Sequence, residues 1–355
     1  MANTYDVAVI GGGPAGATFA RELARSCPDK TVVLVDSKPR TGEKVCGGLL
    51  APDAQKVLAQ FDLSLPKDVL ADPQIFDVKT MDLQSKVVRH YQRHYLNMER
   101  GAFDAWLISL IPRNAAVIRG RCVTVSVLED GTYALEVDCG GETETVTAKY
   151  LVGADGASSI VRRSFFKSPR KQYVAIQEHF PDSGADVANY SCIFDPITSE
   201  SCSWTIRKNG FIIFGGAFDV TNCRAAYEKQ RQRLEAFLGR SLGTPVKREA
   251  CLLTSPRGFR DFALGKGKVF LVGEAAGFVS SSSFEGISSA FLSGKKLADA
   301  FANSDDPAKI LRTYSRHTVK LRLKLFTKVI KMRILFSPFL RKCIMSSGIR
   351  SITKY

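Results

Sequence analysis

The clearest pattern along the chain is a set of short, unbroken apolar runs. Residues 5–10 (YDVAVI), 31–36 (TVVLVD), 149–156 (KYLVGADG) and 268–273 (KVFLVG) are of this kind. Continuous apolarity, as opposed to alternation, predicts strands covered on both faces of a parallel sheet. Between the first two runs lies GGGPAGATFARELARS, a Gly-rich turn opening a helix whose packing face carries Ala17, Ala20, Leu23 and Ala24. Strand, helix and strand together make a βαβ unit. Helices are also predicted over 98–111, 222–239 and 285–301, and a hairpin about Asp130-Gly131.

Other segments have a different texture. QIFDVKTMDL, KVVRHYQRHYL, QYVAIQEHF, NYSCIFD, CSWTIRK and GFIIFGGAF are rich in Val, Ile, Tyr and Phe and alternate in part. They predict an antiparallel sheet. The fold class expected is α/β. A Rossmann-like domain would be built from 1–70, 98–165 and 255–303. A discontinuous antiparallel sheet domain would come from 71–97 and 166–254, and a helical tail from 304–355.

Charge changes the picture of the tail. The 355 residues hold 50 Lys+Arg against 35 Asp+Glu, a net of +15. From Pro307 to Tyr355 there are 13 Lys+Arg and no Asp or Glu, which leaves the rest of the chain at only +2. Such a local excess argues against a globally basic nucleic-acid binder. Arg312, Arg316, Lys320, Lys324 and Lys328 recur every four residues, as do Leu321, Leu325 and Val329. This predicts a helix with a basic ridge beside an apolar ridge. ILFSPFL (334–340) then adds further apolar residues. A surface of that kind over 312–340 suits an anionic membrane, the alternative being a solvated helix packed on the body. No nucleic-acid partner is expected, because no aromatic platform accompanies the charge.

The nine cysteines are scattered, without a CxxC, so neither a disulfide framework nor a metal site is expected, and a reducing cytoplasm is. There is no apolar run of about 18 residues. The first strand begins too early to leave room for a signal peptide. The expected location is cytoplasmic, peripheral on the inner face of the membrane.

Gly11, Gly13 and Gly16 form G-x-G-x-x-G after a strand and at the opening of a helix, with Asp36 about 20 residues on. This is a dinucleotide fingerprint. The glycines, with Pro14 and Ala15 between them, let the backbone approach a pyrophosphate at the helix start. Asp36, followed by Ser37, would accept from an adenosine ribose hydroxyl. The fingerprint alone leaves NAD and FAD open. Two later motifs narrow it. LVGADGASSIVRR carries Asp155 and Gly156 after a strand, then Ser158 and Arg162, and LVGEAAGF carries Gly273 and Glu274.

The three motifs, in this order, resemble the FAD-dependent group-A hydroxylase and reductase superfamily. The resemblance implies a Rossmann-like FAD-binding domain and FAD as cofactor. It also implies that Glu274 takes the place of an aspartate that binds the ribityl chain. KVCGGLL (44–50) and GEAAGFVSSSSFEGISSAFLSG (273–294) are similar to the geranylgeranyl reductase family. CSWTIRKNGFIIFGGA fits that family in part: Trp204 and Lys208 are kept, whereas Cys202, Ile206 and Arg207 depart from its pattern. The resemblance places Gly47 and Gly48 against the isoalloxazine. Gly286 and Ile287 fall at a helix start facing the N1/C2=O side, Arg100 on FAD, and Val123 by the adenine.

Cys46 is read as lying by the flavin. Beside Lys44 it would be an acidified thiol that donates a proton or positions substrate, the plain alternative being a packing cysteine. Trp204 would line a cavity or face a developing carbocation, or simply be core. His179 and Glu178 are strand neighbours on opposite faces and are not read as catalytic.

The implied activity is reduction of C=C bonds in an isoprenoid lipid by hydride from reduced flavin N5. The alternatives are a monooxygenase using NAD(P)H and O2, or a lipid-binding flavoprotein without catalysis. With one fingerprint only, the expected reductant is transiently bound NAD(P)H, ferredoxin or another electron-donor protein.

Overall fold

A computed structural model describes residues 3–37, 45–166, 170–184 and 187–353. Lys44 lies outside them. The unbroken apolar runs form the centre of the first sheet. In spatial order it runs β15 (Gly265–Lys266), β16 (Val269–Leu271), β9 (Thr143–Gly153), β1 (Asn3–Ile10), β2 (Val32–Asp36) and β6 (Ala115–Arg119). β7 (Arg121–Val127) and β8 (Tyr133–Asp138) join through β9 as the predicted hairpin. From β16 to β6 the strands are parallel, with Val9 opposite both Leu34 and Val152. Val7, Val9, Val33 and Leu34 are fully buried, which is why these strands carry no polar alternation.

The helices are α1 (Pro14–Ser26), α2 (Pro52–Gln60), α3 (Arg100–Ser109), α4 (Ile160–Phe165), α5 (Cys223–Leu238), α6 (Gly273–Ala276), α7 (Ile287–Ala302), α8 (Pro307–Leu335) and α9 (Pro338–Ser346). α1 and α7 approach so closely that a Cβ on Gly294 would stand 2.5 Å from the Ala15 carbonyl oxygen. Phe19 and Phe301 meet edge to face in the same layer.

The second sheet runs β14 (Lys247–Ser255), β10 (Lys171–Pro181), β13 (Phe211–Asp219), β12 (Cys202–Lys208), β11 (Tyr190–Phe194), β4 (Ile75–Asp82), β5 (Val87–Asn97) and β3 (Leu49–Leu50). It departs from the expected antiparallel sheet at one seam, where β11 and β4 are parallel. β4 and β11 come from separate stretches of chain, so no hairpin fixes their relative direction. The sheet also takes in Leu49–Leu50, which falls outside 71–97 and 166–254. α5 covers one face, burying Tyr227 and Leu234 against Phe180, Phe214 and Phe218.

The segment after 304 is built into the body. Asp306 caps α8 by accepting from the Ala308 N–H at 2.9 Å. Ile310, Tyr314, Leu321 and Leu325 then pack into the main core. Tyr314 Oη donates to the Leu271 carbonyl at 3.0 Å. The ridge of Leu321, Leu325 and Val329, read from the sequence as the apolar face of a membrane helix, is thus buried against the protein. α9 is held by Arg341, whose Nε donates to Asp82 Oδ2 at 2.9 Å in the second sheet.

Candidate active site

Two helices aim their N-termini into one cavity of about 700 Å³. α1 starts at Pro14 after Gly13, and α7 starts at Ile287 after Gly286; neither has a side-chain cap. The first N–H groups of each are therefore left for a ligand, and both helix ends carry partial positive charge. Gly13, Pro14, Ala15, Gly286 and Ile287 line the cavity. Close backbone packing builds the first turn. Gly11 has φ +107, and a Cβ on Gly16 would stand 1.9 Å from the Gly11 carbonyl oxygen. Only glycines permit that geometry, which presents the α1 N-terminus to a pyrophosphate.

The acidic groups flank this cradle. Asp36 ends β2, accepts from the Gly12 N–H at 3.3 Å and pairs with Arg119 at 2.6 Å. Ser37 follows it. Asp155 Oδ2 accepts from the Ile160 N–H at 2.6 Å. Its Oδ1 is buried with no hydrogen-bond partner among the described residues, and burial pushes the carboxyl up. Gly156 next to it lines the cavity, whereas Asp36, Ser37 and Asp155 flank it. Val123 is 42 % exposed on β7 and also lies outside the lining.

Glu274 sits in α6, one residue past Gly273. Its Oε1 accepts from the Thr254 N–H at 2.8 Å and hydroxyl at 3.1 Å. Its Oε2 stands 3.8 Å from where a Cβ on Gly156 would be. A glutamate at the end of a buried strand is thus anchored through one oxygen by β14. The other faces the gap between the second and third motifs, both of which line the cavity.

The 45–48 loop forms the next wall. Gly48 has φ +65, and a Cβ there would stand 2.0 Å from Lys208 Nζ and 2.2 Å from the Met98 carbonyl oxygen. A Cβ on Gly47 would meet Ile206 Cδ1 at 2.5 Å. Lys208 is buried beneath this loop and donates to the Met98 carbonyl at 2.6 Å; burial pushes its ammonium down. Arg100 opens α3, donates from Nε to Asp104 Oδ1 at 2.9 Å and points Nη1 at Cys46 Sγ, 3.7 Å away. Burial alone would push the Cys46 thiol up. Arg100, the Gly48 N–H and Lys208 outweigh it, and the thiol lies below its ordinary value.

Trp204 lines the cavity from β12, with its indole N–H unpartnered among the described residues. His179 and Glu178 diverge as strand neighbours must. His179 Nε2 lies 3.0 Å from Glu249, and Glu178 takes the Tyr227 hydroxyl at 2.8 Å on the α5 side.

One cluster was not singled out from the sequence. Tyr91, Arg93 and Tyr95 share the cavity face of β5. Tyr95 Oη donates to Glu285 Oε1 at 2.9 Å and Arg93 Nη2 to the same oxygen at 3.2 Å. Tyr190 packs edge to face on Tyr95. The signal was available: in KVVRHYQRHYL the alternate positions carry Tyr, Arg and Tyr, a polar aromatic face in a strand otherwise read for its apolar residues.

Comparisons agree with the geometry. Residues 5–165 match the pyridine nucleotide-disulphide oxidoreductase family and residues 124–324 the FAD binding domain family. Protein CbrA of Escherichia coli K12 is 43% identical over 353 residues, covering 98% of both chains. A geranylgeranyl bacteriochlorophyll reductase-like protein of Thermoplasma acidophilum superposes with a TM-score of 0.81 at 20% identity, over 98% of this chain and 92% of that one. A p-nitrophenol 4-monooxygenase, PnpA of Pseudomonas putida, superposes with a TM-score of 0.69 at 16% identity, over 98% and 94%. At those identities the two structures share the fold. The glycine cradle, the two uncapped helix ends and the carboxylate of Glu274 all fit FAD, and the chain belongs to the family of FAD-dependent oxidoreductases that includes CbrA.

Proposed function

We propose that the protein reduces C=C bonds of an isoprenoid lipid. The observation that carries this reading is the continuity of the cavity. The cradle of Gly13, Glu274 and Gly286 and the aromatic wall of Tyr95, Tyr190 and Trp204 line one space. An alkene held against the second sheet would share one cavity with the cofactor. The likeness to a geranylgeranyl reductase-like fold supports the substrate class.

When bound and reduced, FAD would supply the hydride for the alkene. The α7 N-terminus at Gly286 and Ile287 offers N–H groups to negative charge on the cofactor. The Cys46 thiol gives its proton to one alkene carbon, leaving a thiolate beside Arg100. Reprotonation of that thiolate from solvent resets the site. An isolated alkene has no electron sink, so positive charge develops as the proton arrives. The Trp204 face lowers the cost of that charge. Arg93 and Glu285 fix the Tyr95 hydroxyl at the polar margin. The electron donor in this reading would be NAD(P)H or an electron-donor protein.

The test is anaerobic. Dithionite reduces the FAD-loaded protein, a total bacterial lipid extract is added, and flavin absorbance near about 450 nm is followed. Reoxidation together with a lipid heavier by two hydrogens supports the reading. A flavin that stays reduced until air is admitted overturns it. Consumption of O2 with NAD(P)H on lipid addition would instead assign a monooxygenase, the activity of the structurally similar PnpA.

A further inference from the structure

With its Leu321, Leu325 and Val329 ridge spent on the core, the C-terminal region still exposes apolar side chains on other faces. On α8 these are Val319, Leu323, Ile330 and Ile334, spaced four, seven and four. Phe339 on α9 is 73% exposed and Ile349 after it 71%. Exposed apolar residues also occur elsewhere, Phe76 and Val246 among them, and singly they are ordinary; the concentration of them from Val319 to Ile352 is not. Lys331, Arg333, Lys342 and Arg350 are exposed among them. No Asp or Glu follows Asp306, so the face has one sign of charge.

The same elements line part of the active-site cavity. Lys328, Lys331 and Leu335 of α8 and Ile344, Ile349 and Arg350 beyond it line the space that Glu274 and Gly286 also line. From this placement we infer that the α8–α9 face docks on an anionic lipid bilayer and turns the cavity mouth toward it, so that the ligand enters from the membrane. Apolar tips ringed by Lys and Arg match a headgroup layer with acyl chains beneath it. Among the described residues no helix is long and apolar enough to cross a membrane, so this is attachment to a surface. Docking of this face is independent of the chemistry; only the entry route rests on the proposed substrate.

The FAD-loaded full chain is sedimented with phosphatidylcholine vesicles, with and without phosphatidylglycerol. Co-sedimentation is expected with the anionic vesicles and should weaken in high salt. Phe339→Asp with Ile330→Asp, both at exposed positions outside the cavity lining, should lower partitioning about tenfold or more while FAD binding is kept. Lys342→Gln should lower it about fivefold. Wild-type protein left in the supernatant with anionic vesicles overturns the inference. So does binding unchanged in the Phe339→Asp, Ile330→Asp variant, or retention on polyuridylate with no affinity for vesicles. Because sedimentation needs no turnover, vesicle binding without alkene reduction would overturn the proposed chemistry and leave the docking face standing.

Discussion

The Arg100 guanidinium stands 3.7 Å from the Cys46 thiol, at the start of α3 and the start of the 45–48 loop. A permanent cation at that distance favours the thiolate, although burial opposes it. Iodoacetamide labelling of Cys46, followed by mass spectrometry across pH, should therefore reach half its maximal rate below pH 9.0. Arg100→Met, combined with Asp104→Asn so that no buried carboxylate is left alone, should move that midpoint upward. An unmoved midpoint would mean that Arg100 does not set the acidity of the thiol.

Glu274 is the carboxylate anchored on Thr254 and directed at the cavity. Glu274→Ala should weaken FAD binding about tenfold to a hundredfold, the loss of a hydrogen bond to a charged group. Titration of apoprotein by flavin fluorescence measures it. Glu274→Asp, the shorter acid, should recover part of the loss.

Gly48 has no room for a side chain. Gly48→Ala places a methyl on Lys208 Nζ and the Met98 carbonyl at a left-handed φ of +65. The loop must shift, and with it Cys46 and Gly47. Thermal melts should show destabilisation of about 1–3 kcal/mol, and cofactor affinity should fall with it.

Asp82 and Arg341 form a buried ion pair, 1% and 2% exposed, that ties α9 to the second sheet. Burial raises the Asp82 carboxyl, but Arg341 and the Ser85 N–H outweigh it, and the group lies below its ordinary 3.8. A depressed folded value stabilises the native state above the unfolded value. That contribution is lost as pH falls through 3.8 to the lower folded value. Acid melts should show α9 released in that window. Arg341→Ala leaves the carboxylate buried and alone and should cost about 3–5 kcal/mol at neutral pH. A double variant with Asp82→Asn should recover much of it.

Local sequence was enough for the centre of the first sheet, β1, β2, β9 and β16, because strands buried on both faces leave unbroken apolar runs that need no partner to be recognised; the edge strands β6 and β15 came only from the structure. It determined the fingerprint helix, since Gly11 and Gly16 are demanded by backbone geometry within a few residues of one another. It also determined the family of the cofactor, through three local motifs. Local sequence does not say which stretches of chain meet. That left to the tertiary structure the parallel seam between β4 and β11. It also left the joining of Cys46, Arg100 and Lys208 around one loop, and the Tyr95–Glu285 contact 190 residues apart. The tail shows the limit most plainly. Four-residue spacing identified α8 and its apolar ridge, but a ridge looks the same whether it meets lipid or protein. Only the packed core decided that Leu321 and Leu325 face inward, leaving Leu323, Ile330 and Phe339 outside.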